Sequence, residues 1–220
     1  MDHSIDQHIT ETDALMVQLE RDPVMRSTIV SVALLDRAPQ WATVVDRLER
    51  ATRLVPAMRQ KLVPSLLRLA PPHWVVDPGF DLAHHVRRVR LPDGGGLGEV
   101  LEWGETTATA AFDPERPLWE LTLFEGLDED RAATVLKMHH VLMDGVGGLA
   151  VLLHVLDTQR EPAIRPGASP VVPSGSVPNA FETMVDLARY DTARAVRTGS
   201  GLLRSLPRGI GRSVHDPAGA

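Results

Sequence analysis

Between Lys137 and Gly148 the chain runs KMHHVLMDGVGG, placing His139, His140, Asp144 and three glycines inside twelve positions. Histidine is the side chain best suited to take and return a proton near neutral pH. An aspartate four residues after His140 can orient the ring or stiffen the loop. Gly145 lets the backbone turn without a Cβ in the way. General-base catalysis at a hydroxyl is therefore one reading of the segment.

Three others compete with it. Asp144-Gly145 is a common hairpin-turn dipeptide, which accounts for the turn but not for two adjacent histidines ahead of it. GVGGLA, residues 145–150, fits G-x-G-x-x-A, a turn that cradles phosphate at a helix start, although no repeated βα unit surrounds it. His139, His140 and Asp144 can each ligate a metal. Neighbours on a strand point to opposite faces, however, and the H-E-x-x-H spacing that aligns ligands on a helix is missing, so no metal is expected.

The surrounding elements place this segment after a strand. STIVSVALLD is rich in β-branched residues and predicts one strand. Trp41, Val44, Val45, Leu48, Thr52 and Val55 recur at three-four spacing and predict a helix that Pro56 limits. DALMVQLE predicts a short helix capped by Thr12. HHVRRVRL reads as a strand ended by PDGGG, and LGEVLEWGETTATAAF as a helix weakened by Gly104. PLWELTLFEGL and AATVLKMHHV form two strands joined through Leu127–Asp130. VGGLAVLLHVLDTQR is apolar nearly all round and predicts a buried helix. The stretch from Pro64 to Pro78 is Pro-punctuated and reads as irregular.

Composition narrows the class. Of 220 residues, 43% are hydrophobic and 24% charged, enough for a sizeable core. A net charge of -6 argues against nucleic acid as a partner. Without cysteine, disulfides, thiolate metal sites and cysteine nucleophiles are excluded. The acidic N-terminus is no signal peptide, and no apolar run approaches the ~20 residues of a membrane span. A cytoplasmic location is expected, any contact with the inner membrane or lipid inclusions being peripheral.

His139-His140-x-x-x-Asp144-Gly145 resembles the H-H-x-x-x-D-G signature of the CoA-dependent acyltransferase superfamily, which includes chloramphenicol acetyltransferase and peptide-synthetase condensation domains. TETDALMVQLERDP, RLVPAMRQKLV, HWVVDPGFDLAHHVRRVRLP and FDPERPLWELTLFEGL, with the Pro117-Leu118-Trp119 block, most resemble the N-terminal half of bacterial wax ester synthase/diacylglycerol acyltransferases in order and spacing. The resemblance covers roughly residues 10–160. It implies an α+β fold, a two-layer sandwich with a mixed sheet, amounting to half of a CoA-dependent acyltransferase fold.

The same resemblance implies acyl transfer from acyl-CoA, as a substrate and not a bound cofactor, to the hydroxyl of diacylglycerol or a long-chain alcohol. His140 is the implied general base, His139 its support, and Asp144 and Gly145 hold the loop. An H-H-x-x-x-D-G acyltransferase of natural-product assembly and a non-catalytic lipid- or partner-binding remnant are the alternatives.

On this reading residues 1–160 form the N-terminal acyltransferase domain, 161–178 a Pro/Gly/Ser linker, and 179–220 a helical tail leading to an absent C-terminal domain. The family is about twice as long and encloses its histidine between two halves. Activity of the chain alone is therefore expected to be weak or absent unless a C-terminal half or self-association supplies the second wall. His84-His85 and the tryptophans Trp41, Trp74 and Trp119 are expected to be structural. Arg87, Arg88 and Arg90 are expected to form a solvated basic edge, and the tail arginines Arg189, Arg194, Arg197, Arg204, Arg208 and Arg212 a solvated helix or a lipid-facing one.

Overall fold

The computed structural model describes residues 8–65 and 69–142, together with Val151, Val155, Leu156, Met184, Val185, Ala188 and Thr192. Helix α1 spans Glu11–Leu19, α2 Trp41–Leu54 and α3 Leu97–Thr109. The strands are β1 (Thr28–Leu35), β2 (Gln60–Val63), β3 (His73–Val76), β4 (Val86–Arg90), β5 (Trp119–Glu125) and β6 (Ala132–His139).

Four strands form a mixed sheet in the order β1-β6-β5-β4, with β4 and β5 parallel and the other pairs antiparallel. β2 and β3 form a separate antiparallel pair. The α+β class and the mixed sheet are as expected from the sequence. Two apolar clusters pack helices against the sheet. Val44, Leu48 and Ala51 of α2 join Leu121, Leu123, Leu136 and Met138 in one cluster. Val100 of α3 joins Phe124, Ala133 and Val135 in a second. The β5 and β6 residues in these clusters alternate in sequence, so side chains of successive residues on a strand meet helices on opposite faces.

β6 lies between β1 and β5, and every residue from Ala132 to His139 is buried. Burying Val135, Leu136 and Met138 contributes about 1.5–3 kcal/mol each. This cost-free core placement for apolar residues makes the polar members of the same strand, Lys137 and His139, the informative ones.

Local chemistry shifts some predicted boundaries. Thr10, not Thr12, caps α1: its Oγ1 accepts from the Asp13 N–H at 3.1 Å and donates to Asp13 Oδ2 at 2.7 Å. The Gly96 N–H donates to Glu99 at 2.8 Å and starts α3. β3 crosses the stretch expected to be irregular. The β5–β6 turn carries positive φ at Gly126, Glu129 and Asp130. No helix among the described residues is long and apolar enough to cross a membrane. Of the helix predicted after Gly148, Val151, Val155 and Leu156 are described; Val151 and Val155 are buried in the α2-side cluster and Leu156 packs against it. The linker 161–178 lies outside the described residues.

Candidate active site

His139 is the last residue of β6, opposite Thr28 of β1, and only 3% exposed. Its Nε2 lies 2.6 Å from Glu20 Oε1. Its Nδ1 accepts the Val141 N–H at 3.1 Å. A nitrogen that accepts carries no proton, so the network assigns the hydrogen to Nε2, which donates to the Glu20 carboxylate. Both ring nitrogens are thereby committed, and His139 has no lone pair left for a substrate.

His140 differs in every respect. Its backbone N–H continues the ladder by donating to the Ser27 carbonyl at 2.8 Å. The Leu142 N–H then returns to the His139 carbonyl at 3.0 Å and closes a turn. The His140 side chain is exposed. Of the two adjacent imidazoles, one is locked inside and the other is presented to solvent. A presented imidazole can accept a proton from an approaching hydroxyl; a locked one can hold the strand end that presents it. Asp144 and Gly145 lie outside the described residues, as does GVGGLA as a whole.

Glu20 is a site residue that sequence reasoning missed. It follows the last turn of α1, where its N–H donates to the Met16 carbonyl. Its Oε1 also accepts the Ser27 N–H at 2.9 Å, so one oxygen ties together α1, the entry to β1 and the end of β6. No local motif marks it, because its partner lies at the far end of the folded body in sequence.

Lys137 shares the His139 side of β6 and is 2% exposed. Its Nζ donates to the Ala110 carbonyl at 3.0 Å and lies 4.1 Å from the centre of the Phe112 ring. Phe112 in turn lies 6.0 Å from the His139 ring. Arg26 donates to the Thr109 carbonyl. α3 has no basic residue in its last turn. Two cations from outside the helix therefore meet its negative end, as the helix dipole favours. Burial pushes the Lys137 amine below its usual value, against the opposing pull of Glu120.

On the other side, Trp119 is 1% exposed and its indole N–H donates to the Met58 carbonyl at 2.8 Å. His85 stacks on that indole at 4.7 Å and on Phe80 at 5.3 Å, with Arg59 4.4 Å above Phe80. His85 Nδ1–H donates to the Trp119 carbonyl at 2.8 Å. Burial pushes the His85 imidazole below its ordinary value, and the Trp119 hydrogen bond opposes this. His84 is exposed, 4.0 Å from Asp81. Trp41 and Trp74 pack against the core, so these aromatics are structural as expected.

The basic edge is not simply solvated. Arg87 pairs with Glu120 at 2.5 Å, and Arg88 places two nitrogens within 2.9 Å of Glu125 Oε2. Arg90 is exposed. The tail arginines lie outside the described residues.

Residues 9–219 match the family model described as the wax ester synthase/diacylglycerol acyltransferase catalytic domain. A Mycobacterium tuberculosis protein named as a diacylglycerol O-acyltransferase, Rv2484c, is 39% identical over 209 residues, which are 93% of this chain and 41% of that protein. The wax ester synthase/diacylglycerol acyltransferase of Marinobacter aquaeolei VT8 superposes with a TM-score of 0.59 at 26% identity, covering 92% of this chain and 48% of that one. The starter condensation domain of rhizomide synthetase, a mutant in complex with C8-CoA, shares the fold at a TM-score of 0.55 and 13% identity, over 68% of this chain and 34% of that one. The chain spans less than half the length of each of these relatives.

Proposed function

The chain belongs to the wax ester synthase/diacylglycerol acyltransferase family, and on that premise we propose that it supplies the general base for fatty acyl transfer from acyl-CoA to diacylglycerol or a long-chain alcohol. The observation that carries this reading is the division of labour at the end of β6: His139 is held at both ring nitrogens while His140 stands exposed.

In the proposed reaction, an imidazole nitrogen of His140 takes the proton of the acceptor hydroxyl as its oxygen attacks the thioester carbonyl. The tetrahedral intermediate collapses with cleavage of the C–S bond. The departing thiolate recovers the proton from His140, leaving an ester and free CoA. Asp144 and Gly145 are assigned to holding the loop that follows. Acyl-CoA is a substrate here and no resident cofactor is invoked.

An exposed base works poorly alone, because water must be excluded and the thioester positioned before proximity and charge stabilisation contribute. We assign that second wall to a partner surface, either further sequence of this family or a second copy of the chain.

The test is an acyl-transfer assay with labelled palmitoyl-CoA and either diacylglycerol or hexadecanol, with and without a chain supplying the second half of the family domain. Product is expected when the partner is present, and His140→Ala should lower it by about 10²–10⁴-fold. Because His140 is exposed, the same change should alter stability by no more than about 0.5 kcal/mol. A His140→Ala protein that keeps most of its turnover removes this residue from the role.

A further inference from the structure

His140 carries its imidazole on a backbone that is held from both sides. Its own N–H donates to the Ser27 carbonyl at 2.8 Å, and the N–H of Val141 donates to His139 Nδ1 at 3.1 Å. Both holds lead back to one side chain. Glu20 Oε1 accepts the Ser27 N–H at 2.9 Å, which fixes the residue whose carbonyl receives His140. The same oxygen lies 2.6 Å from His139 Nε2, the nitrogen whose proton leaves Nδ1 free to accept.

The orientation of the His139 ring therefore decides whether the peptide after His140 stays in place. Phe112 walls the ring, with ring centres 6.0 Å apart, but has no acceptor to offer it. Turned over about its Cβ–Cγ bond, the ring would set a C–H against the Val141 N–H and release it. Among the described residues, the group that holds the productive orientation from the far side is Glu20. A carboxylate withdrawn from water and paired in this way seldom adds stability over apolar residues of like volume. What the pair adds is direction.

That direction matters to a base. An imidazole nitrogen sits several bonds out from its Cα, so a small rotation of the peptide reaches the ring enlarged. A misplacement of about 1 Å costs about 10²-fold in rate, even when its cause lies away from the reacting atoms. We propose that Glu20 is a positioning residue for the reaction, aiming His140 through His139 and Ser27, and that its working part is an acceptor oxygen and not a charge. The inference rests on the acyl-transfer reading for what His140 does, and it adds the residue that aims it.

Nuclear magnetic resonance of the full chain tests the anchor without any partner. In the wild type, a slowly exchanging ring proton on His139 Nε2 is expected. Glu20→Ala should abolish that signal and speed amide exchange at His140 and Val141 about tenfold or more beyond any change at Val135 and Leu136 in the same strand. A general loss of stability would move all four amides together. Glu20→Gln should keep both the ring proton and the slow exchange. Glu20→Met, which keeps the length of the side chain without an acceptor, repeats the measurement if the alanine variant does not fold.

The transfer assay with the complementing half reads the consequence. Glu20→Ala should lower kcat about 10²-fold with the KM for palmitoyl-CoA unchanged, and Glu20→Gln should stay within a few-fold of wild type. An unprotected Nε2 proton, equal changes at all four amides, or a glutamine variant as poor as alanine overturns the proposal. Selective loosening at His140 and Val141, in a protein that transfers no acyl group with any partner, upholds the anchor and counts against the acyl-transfer reading. Transfer that needs His140 but is indifferent to Glu20→Ala does the reverse.

Discussion

Glu20 Oε1 sits 2.6 Å from His139 Nε2 and, at 2.9 Å, also receives the Ser27 N–H, whose own carbonyl accepts from His140. One carboxylate oxygen thus fixes the buried histidine and the strand that anchors the exposed one. Glu20→Ala removes an acceptor from two donors that are withdrawn from solvent. The expected loss is about 1–3 kcal/mol, read as a lowered urea midpoint with an unchanged slope. Glu20→Gln keeps an acceptor oxygen and should cost less. Equal midpoints for wild type and Glu20→Ala would show that the pair carries no structural weight.

A second prediction concerns acid. Burial lowers the His85 pKa below the ordinary 6.5 in the folded state. Between the folded value and 6.5 the unfolded chain therefore binds more protons, and stability rises with pH. The contribution is complete above about 6.5 and is lost as pH falls from there through the folded-state value. Urea midpoints measured between about pH 7.5 and pH 5 should decline. His85→Phe keeps an aromatic ring in the stack and should flatten part of that decline. An identical slope in both proteins would move the acid sensitivity elsewhere.

The third turns on Lys137, whose ammonium meets the Ala110 carbonyl and the Phe112 face. Lys137→Ala leaves a cavity beside β6 and that carbonyl without its donor, at a cost of about 2–4 kcal/mol. Lys137→Met refills most of the volume and dispenses with a buried charge, so it should recover much of the loss. Thermal unfolding of the two variants side by side gives the comparison. If methionine is no better than alanine, the ammonium's bond to Ala110 outweighs its packing.

Much of the frame was legible because its signals are local. The β-branched run of β1, the three-four spacing of α2 and the paired strands β5 and β6 all appear where periodicity placed them. So does the divergence of His139 and His140, which follows from strand alternation alone. β2 and β3 were not legible. They have four residues each, lie among prolines, and owe their form to each other. The cap on α1 was misplaced by two residues because two threonines flank Glu11 and only packing chooses between them.

The site was half legible for the same reason. A motif announces His139 and His140, but nothing near Glu20 announces it as the partner of His139. Arg87 and Arg88 likewise looked like a solvated edge because Glu120 and Glu125 belong to another strand. Proximity made by the fold leaves no trace in the spacing of residues.

The strand order also has a consequence for how the molecule comes into being. β1 is made early, yet its partner in the sheet is β6, and Thr28 finds its place only opposite His139. As the chain leaves the ribosome, β1 must wait through α2, β2 to β5 and α3 before its hydrogen bonds can be met. Closure over so long a loop is slow compared with making a helix. Glu20 and His139 therefore meet late, and a nascent chain halted before β6 holds an unpaired apolar strand of the kind that chaperones engage.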